Sequence, residues 1–160
     1  MGHNAETVGL MIRGVSAEQA RWRPTATAWS ILEVINHLCD EEREDFRVRL
    51  DIMLHKPEQP LPEIEPESWV TERAYNQRDL AGSLESFLKE RRESIRWLRT
   101  FESPDWGVVY KAPRWKMTAG DMFASWVTHD ILHMRQLLKL EWLYTTRNLE
   151  PYKVDYAGRW

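Results

Sequence analysis

Two histidines lie one helical turn apart in His129-Asp130-Ile131-Leu132-His133. Four residues are slightly more than one turn of an α-helix, so both imidazoles leave the helix on the same side and can share one ion. Met122, Trp126, His129, His133, Leu137 and Leu140 form one stripe at spacings of three and four. The pair therefore sits on the face expected to pack inward. Two neighbouring polar rings on such a face need partners, since each buried unsatisfied group costs about 1–3 kcal/mol. One divalent cation satisfies both. The alternative is two ordinary histidines, one half-exposed and one bound to a carboxylate.

His37 adds a third ring. It shares a stripe with Val34, Glu41 and Val48 on an earlier helix, so it also points inward. Three histidines from two helices leave coordination positions free for water or substrate, as in catalytic rather than closed structural metal sites. A lone core histidine is the bland reading of His37. Cys39 lies too far round the helix to join it and reads as a small buried hydrophobe. His3 and His55 read as solvated. Glu41 could serve as fourth ligand or general base, or belong to the surface of the charged run Asp40-Glu41-Glu42-Arg43-Glu44-Asp45. Asp130 reads as a solvated carboxylate, with support of His129 as the alternative.

The elements that must hold these residues are helices. Apolar spacing is helical almost throughout, and no segment alternates as a strand. Residues 4–14 form a first helix. Ser30-Ile31-Leu32-Glu33 is a capping box that starts a second, running to about Lys56, where Pro57, Pro60 and Pro62 stop it. Segment 57–75 is a structured loop pinned by Trp69 and Tyr75. A third helix starts near Asn76 and carries Leu80, Leu84, Phe87, Leu88, Arg91, Ile95 and Leu98 on one face. A loop with Pro104, Gly107 and Pro113 precedes a fourth helix, which begins at Thr118-Ala119-Gly120-Asp121 and reaches about Leu143. The tail from Tyr144 to Trp160 is expected to dock through its aromatics. The fold class is all-α, a four-helix bundle in one domain spanning residues 1–160.

Composition narrows the function classes. The chain has 160 residues, 42% hydrophobic and 29% charged, with net charge −3. Basic and acidic residues alternate, so no positive stripe faces a nucleic acid. No run approaches the roughly 18 apolar residues of a membrane span. The N-terminal residues show no cationic region followed by an apolar run, and no secretory leader is expected. One cysteine excludes an internal disulfide framework and fits a reducing cytoplasm. Most of the nine Trp are expected in the core, but so many can also line a pocket or an interface, and Trp126 with neighbouring aromatics is expected to line a pocket.

Trp29-Ser30-Ile31-x-Glu33-x-x-x-His37-Leu38, then Thr118-x-x-Asp121 and His129-Asp-x-x-His133-x-x-Gln136-Leu137, together resemble the DinB/YfiT superfamily. (The DNA polymerase of the same name is unrelated.) The resemblance spans most of the chain in order and spacing. It implies a four-helix bundle of unusual topology, a homodimer, and a metal, zinc or nickel, held by His37, His129 and His133. It also implies a small-molecule substrate, reached either by activating a low-molecular-weight thiol for S-transfer or by hydrolysis.

A neutral three-His site would leave the cation's charge uncompensated, which favours a thiol-dependent transferase. Metal-dependent hydrolysis of a small substrate is the first alternative, and non-catalytic binding of a metal or small molecule the second. His129-Asp130-x-x-His133 differs from the zinc-protease motif by Asp for Glu, one methylene too short for that motif's general base.

Overall fold

The structure, a computed structural model, describes residues 1–112, 115–158 and 160, and of Ala112 and Trp115 the backbone alone. Four long helical elements carry it. Helix α1 (Gly2–Met11) is followed by the short α2 (Ala17–Arg21). Helix α3 (Ile31–Asp40) continues through a π-helical segment, Glu41–Phe46, into α4 (Arg47–His55). After α5 (Pro66–Glu72) and a 3₁₀ turn come α6 (Leu80–Leu98) and the 30-residue α7 (Ala119–Asn148). Helix α3 packs on α6, α1 on α6 and α7, and α4 on α7. This is the expected all-α four-helix bundle. None of the described helices is long and apolar enough to cross a membrane.

The start of α3 follows from its sequence. Ser30 Oγ accepts from the Glu33 amide at 3.2 Å, and the Glu33 carboxylate accepts in turn from the Ser30 amide at 2.8 Å. This reciprocal cap satisfies two orphan donors. Arg23 pairs with the buried Glu33 carboxylate, and Ser30 Oγ also reaches Asn76 at 2.9 Å. The anchored cap holds Trp29, one residue earlier, over the bundle. Thr118 and Asp121 form the same kind of box at the start of α7.

Two differences from the sequence reading have physical causes. Residues 109–118 form an antiparallel hairpin, β1 (Val109–Ala112) and β2 (Trp115–Thr118), with Tyr110 opposite Met117 and Val109 opposite Thr118. Strands of four residues are too short for their alternation to be read. Tyr110 ties the hairpin to the Pro-rich segment: its hydroxyl donates to the Gln59 carbonyl at 3.1 Å and accepts from the Leu61 amide at 2.9 Å. Pro113, expected in a loop here, lies outside the described residues. Within 57–75, α5 forms with Pro66 in its first turn, where a missing N–H costs nothing. Trp69 and Tyr75 are buried as expected.

The tail docks through two of its four aromatics and begins as helix. Helix α7 runs five residues past Leu143, and Tyr152 and Tyr156 stand exposed. Tyr144 packs edge-on against Trp22 and Trp160 stacks on Trp142, each pair with ring centroids 5.5 Å apart.

Among the described residues two apolar clusters fill the bundle, and a smaller third, Trp69, Val70 and Tyr75, seats α5. One gathers Val8, Ile31, Val34, Ile35, Leu38, Phe87, Leu137 and Leu140; the other gathers Phe46, Leu50, Met53, Met122 and Trp126. The second helix enters the first cluster through α3 and the second through α4. The π segment lies between, and its wider turn shifts the buried face to Phe46, Leu50 and Met53, leaving Val48 half-exposed. The polar residues of interest lie at this junction.

Candidate metal centre

The structure brings His37, His129 and His133 together. One ring nitrogen from each lies within 4.8 Å of the other two. The Nε2 atoms of His129 and His133 are 3.1 Å apart. Ring centroids are 4.7 Å apart for His37 and His133 and 5.4 Å for His37 and His129. His37 is buried, its two partners half-buried.

Protonation states follow from burial. The fold pushes His37 down from 6.5 to about 2, first by burial and then by repulsion from His133 and His129. Burial likewise lowers His129 to about 4 and moves His133 down, opposed there by a bond to Gln136. All three rings are neutral at pH 7, the state in which imidazole donates a lone pair. His133 Nδ1–H donates to Gln136 Oε1 at 2.8 Å, which leaves Nε2 unprotonated and facing His129.

This donor set fits a divalent cation. Tetrahedral zinc with bonds of about 2.0–2.1 Å places its ligand nitrogens about 3.4 Å apart, close to the spacing of the His129 and His133 pair. Without a cation or proton between them, two facing lone pairs repel. The His37 Nδ1 atom is buried without a hydrogen-bond partner.

The ion-free protein should therefore lose stability in acid. Unfolding returns His37 to an ordinary imidazole, which takes up a proton below about 6.5 while the folded ring does not. The unfolded chain then binds more protons, so stability is full above that pH and falls as pH drops. His37 alone accounts for about 2 kcal/mol between pH 7 and pH 5. Denaturant titrations of ion-free wild type and His37→Gln should differ in pH slope by that amount; equal slopes would show that His37 is not held neutral by burial.

Aromatic rings frame the cluster. Trp29 lies parallel to His133 at 6.4 Å and tilted over His37 at 4.8 Å, and Phe46 contacts His129 at 5.1 Å. Trp29 and Gln136, both in contact with His133, also line a cleft of about 540 Å³. Its walls include Ala28, Leu140 and Leu143, with Lys139 on the side of α7. The pocket aromatic is thus Trp29. Trp126, expected in that role, is buried on Phe46 with its Nε1–H donating to Glu42 at 2.6 Å.

The charged run around Glu41 is largely internal. Asp40, Glu41 and Glu42 are each at most 5% exposed. Glu41 is not among the groups converging on the cluster; its Oε1 stands 3.9 Å from His37 Nδ1. Burial, then Asp45, raises the Glu41 carboxyl to about 9. Asp130 is neither solvated nor bonded to His129. It accepts two bonds from Arg91, at 2.6 and 2.7 Å, and one from Asn4. Arg91 also donates to Glu42 at 2.7 Å, so one buried guanidinium links the π segment after His37 to the residue after His129. Cys39 is buried as expected, and His3 and His55 lie away from the cluster, His55 bonded to Asp51.

Gln136 was findable from its position three residues after His133. Of the Glu42–Arg91–Asp130 triad only Arg91 carried a signal, its place on the apolar face of the third helix, because its two partners come from other helices and no spacing links them to it.

Residues 4–137 match the model of the DinB superfamily, a span that contains all three histidines. A comparison with curated proteins found no match. Among solved structures the fold resembles YfiT from Bacillus subtilis, described as a probable metal-dependent hydrolase with an unusual four-helix bundle topology. The TM-score is 0.76 at 16% identity, covering 87% of this chain and 80% of that one. A match across most of the sequence, on a bundle of the same kind, makes this chain a member of the DinB superfamily.

Proposed function

We propose that this protein is a metal-dependent enzyme that turns a small nucleophile on a substrate held beside Trp29. His37, His129 and His133 would hold one divalent ion. The observation that carries this reading is the convergence of three neutral imidazoles on one point, with no carboxylate among them. When bound there, a dication supplies Lewis-acid chemistry, lowering the pKa of a water or thiol.

The chain's own residues do the rest. Gln136 holds His133 in the tautomer with Nε2 free. Trp29 walls the rings on the cleft side, and Phe46 packs on His129. Ala28, Trp29, Leu140 and Leu143 offer apolar contact to the substrate, while Lys139 can meet an anionic group. Glu41 stands outside the ligand cluster, an arrangement that favours turnover over sequestration because a position stays open for exchange.

Two nucleophiles fit. A low-molecular-weight thiol suits a site whose ligands are all neutral, since a dication held there would favour loss of the thiol proton; its sulfur would displace a leaving group from a small electrophile, giving a thioether and the departed group with the proton. Water gives hydrolysis, and the description of YfiT favours it.

Protein reconstituted with zinc or nickel is assayed in two arms. One pairs glutathione, bacillithiol or mycothiol with small electrophiles; the other uses small esters and amides alone. Metal-dependent product in the first arm identifies a transferase, and in the second a hydrolase. Turnover in neither, despite a bound ion, overturns the enzymatic reading in favour of a binding protein.

A further inference from the structure

Glu41 and His37 present each other with unmet needs. The Nδ1 of His37 and the Oε1 of Glu41 are both buried, and neither has a hydrogen-bond partner. They face one another at 3.9 Å, about 1 Å beyond a normal bond. Side-chain exposure is 7% for His37 and 6% for Glu41, so water is not a ready substitute. A buried donor or acceptor left unpaired is costly, and each of these two atoms can supply what the other lacks.

The backbone keeps these groups aligned. His37, Glu41, Asp45 and Arg49 follow one another at intervals of four. In a regular α-helix each such step overshoots a turn by about 40°, so a column of four would wind away from the site. The π segment Glu41–Phe46 has more residues per turn and turns the column back. Asp45 pairs with Arg49, and Arg49 donates to the Pro62 carbonyl at 2.9 Å. The column thus runs from the histidine cluster to the Pro-rich segment, with Glu41 held between His37 and an anchored ion pair.

We propose that Glu41 is the positioning residue for His37: it accepts the Nδ1–H of the imidazole, fixing the tautomer that turns Nε2 toward His129 and His133. Metal-ligating histidines commonly hand their second N–H to a carboxylate or carbonyl oxygen, which orients the ring and raises its basicity. Gln136 already does this for His133. Glu41 does it for His37 from one turn away on the same helix, across the last regular α-helical step, where the Glu41 amide donates to the His37 carbonyl; the π segment then keeps Asp45 and Arg49 behind Glu41. Glu41 acts through His37 and contacts neither ion nor substrate.

The inference rests on the metal-site reading for its purpose but not for its first test. In metal-free protein, ¹⁵N shifts report the His37 tautomer. Wild type should show Nδ1–H, and Glu41→Ala should lose that preference. Zinc affinity measured by chelator competition should then fall on the order of 10–100-fold in Glu41→Ala. Glu41→Gln, which keeps an acceptor oxygen and the side-chain volume, should keep both the tautomer and an affinity within about threefold of wild type. An unchanged tautomer in Glu41→Ala, or a Gln variant as impaired as the Ala variant, overturns the proposal. A wild type that binds no zinc defeats the metal-site reading instead, and the tautomer measurement still decides the role of Glu41.

Discussion

His133→Ala should emerge from dialysis without metal, while wild type reconstituted in parallel keeps about one equivalent. His133 supplies a nitrogen 3.1 Å from that of His129, and its tautomer is set by Gln136. Removing it leaves two rings that cannot enclose an ion. Structural zinc sites gain about 10–16 kcal/mol from four ligands, so one ligand is worth roughly 3 kcal/mol, or on the order of 100-fold in affinity. The fold should survive, because His133 is half-buried and Ala is the best helix former. The ion-free variant loses the contact of His133 with His129 and its bond to Gln136, so only a modest loss of stability is expected. Elemental analysis beside thermal denaturation separates these effects. Stoichiometric metal in the variant would rule out the three-histidine centre.

Arg91→Met should be the most destabilising single change outside the apolar core. Arg91 is 2% exposed and meets two carboxylates, Glu42 and Asp130, each 1% exposed. It also donates to the Met1 carbonyl at 3.1 Å, tying the start of the chain to the same node. The guanidinium is held protonated: burial works against its charge, but both carboxylates favour it more strongly. Methionine fills similar volume but strands the two acids. Breaking one side of a buried ion pair costs about 3–5 kcal/mol, a large share of the 5–15 kcal/mol that holds a typical domain. The penalty lies in the stranded charges, so adding Asp130→Asn and Glu42→Gln should recover a substantial part of it. Denaturant midpoints for the single and triple variants decide the matter. A loss under about 1 kcal/mol in Arg91→Met would mean that the node contributes little.

The node also bears on the metal centre. Glu42 follows His37 by five residues and Asp130 follows His129 by one, so Arg91 joins the two helices that must bring their histidines to one place. Apolar packing alone would let the helices slide by fractions of an ångström. A bidentate guanidinium resists that because its donors are fixed in a plane.

By itself the sequence determined what depends on local order. The capping boxes at Ser30 and Thr118 mark helix starts because their partners are three residues away. The inward stripe of Met122, Trp126, His129 and His133 is a matter of helical period, and so is the shared direction of the two histidines. The approach of His37 to that pair was inferred from its own stripe and then met in the fold.

Tertiary structure decided the rest. The acidic run Asp40–Asp45 reads as a solvated face because charge normally stays in water, yet Arg91 and Arg73 arrive from distant segments to pair with Glu42 and Asp40. Trp29 rather than Trp126 faces the cleft, since nine tryptophans share one composition and only packing sorts them. The π segment appears in no periodicity, being a local compromise that lets one helix serve two apolar clusters. Period and caps act over a few residues and are written in order along the chain. Burial of charge depends on which remote partner arrives, and that is settled only when the helices pack.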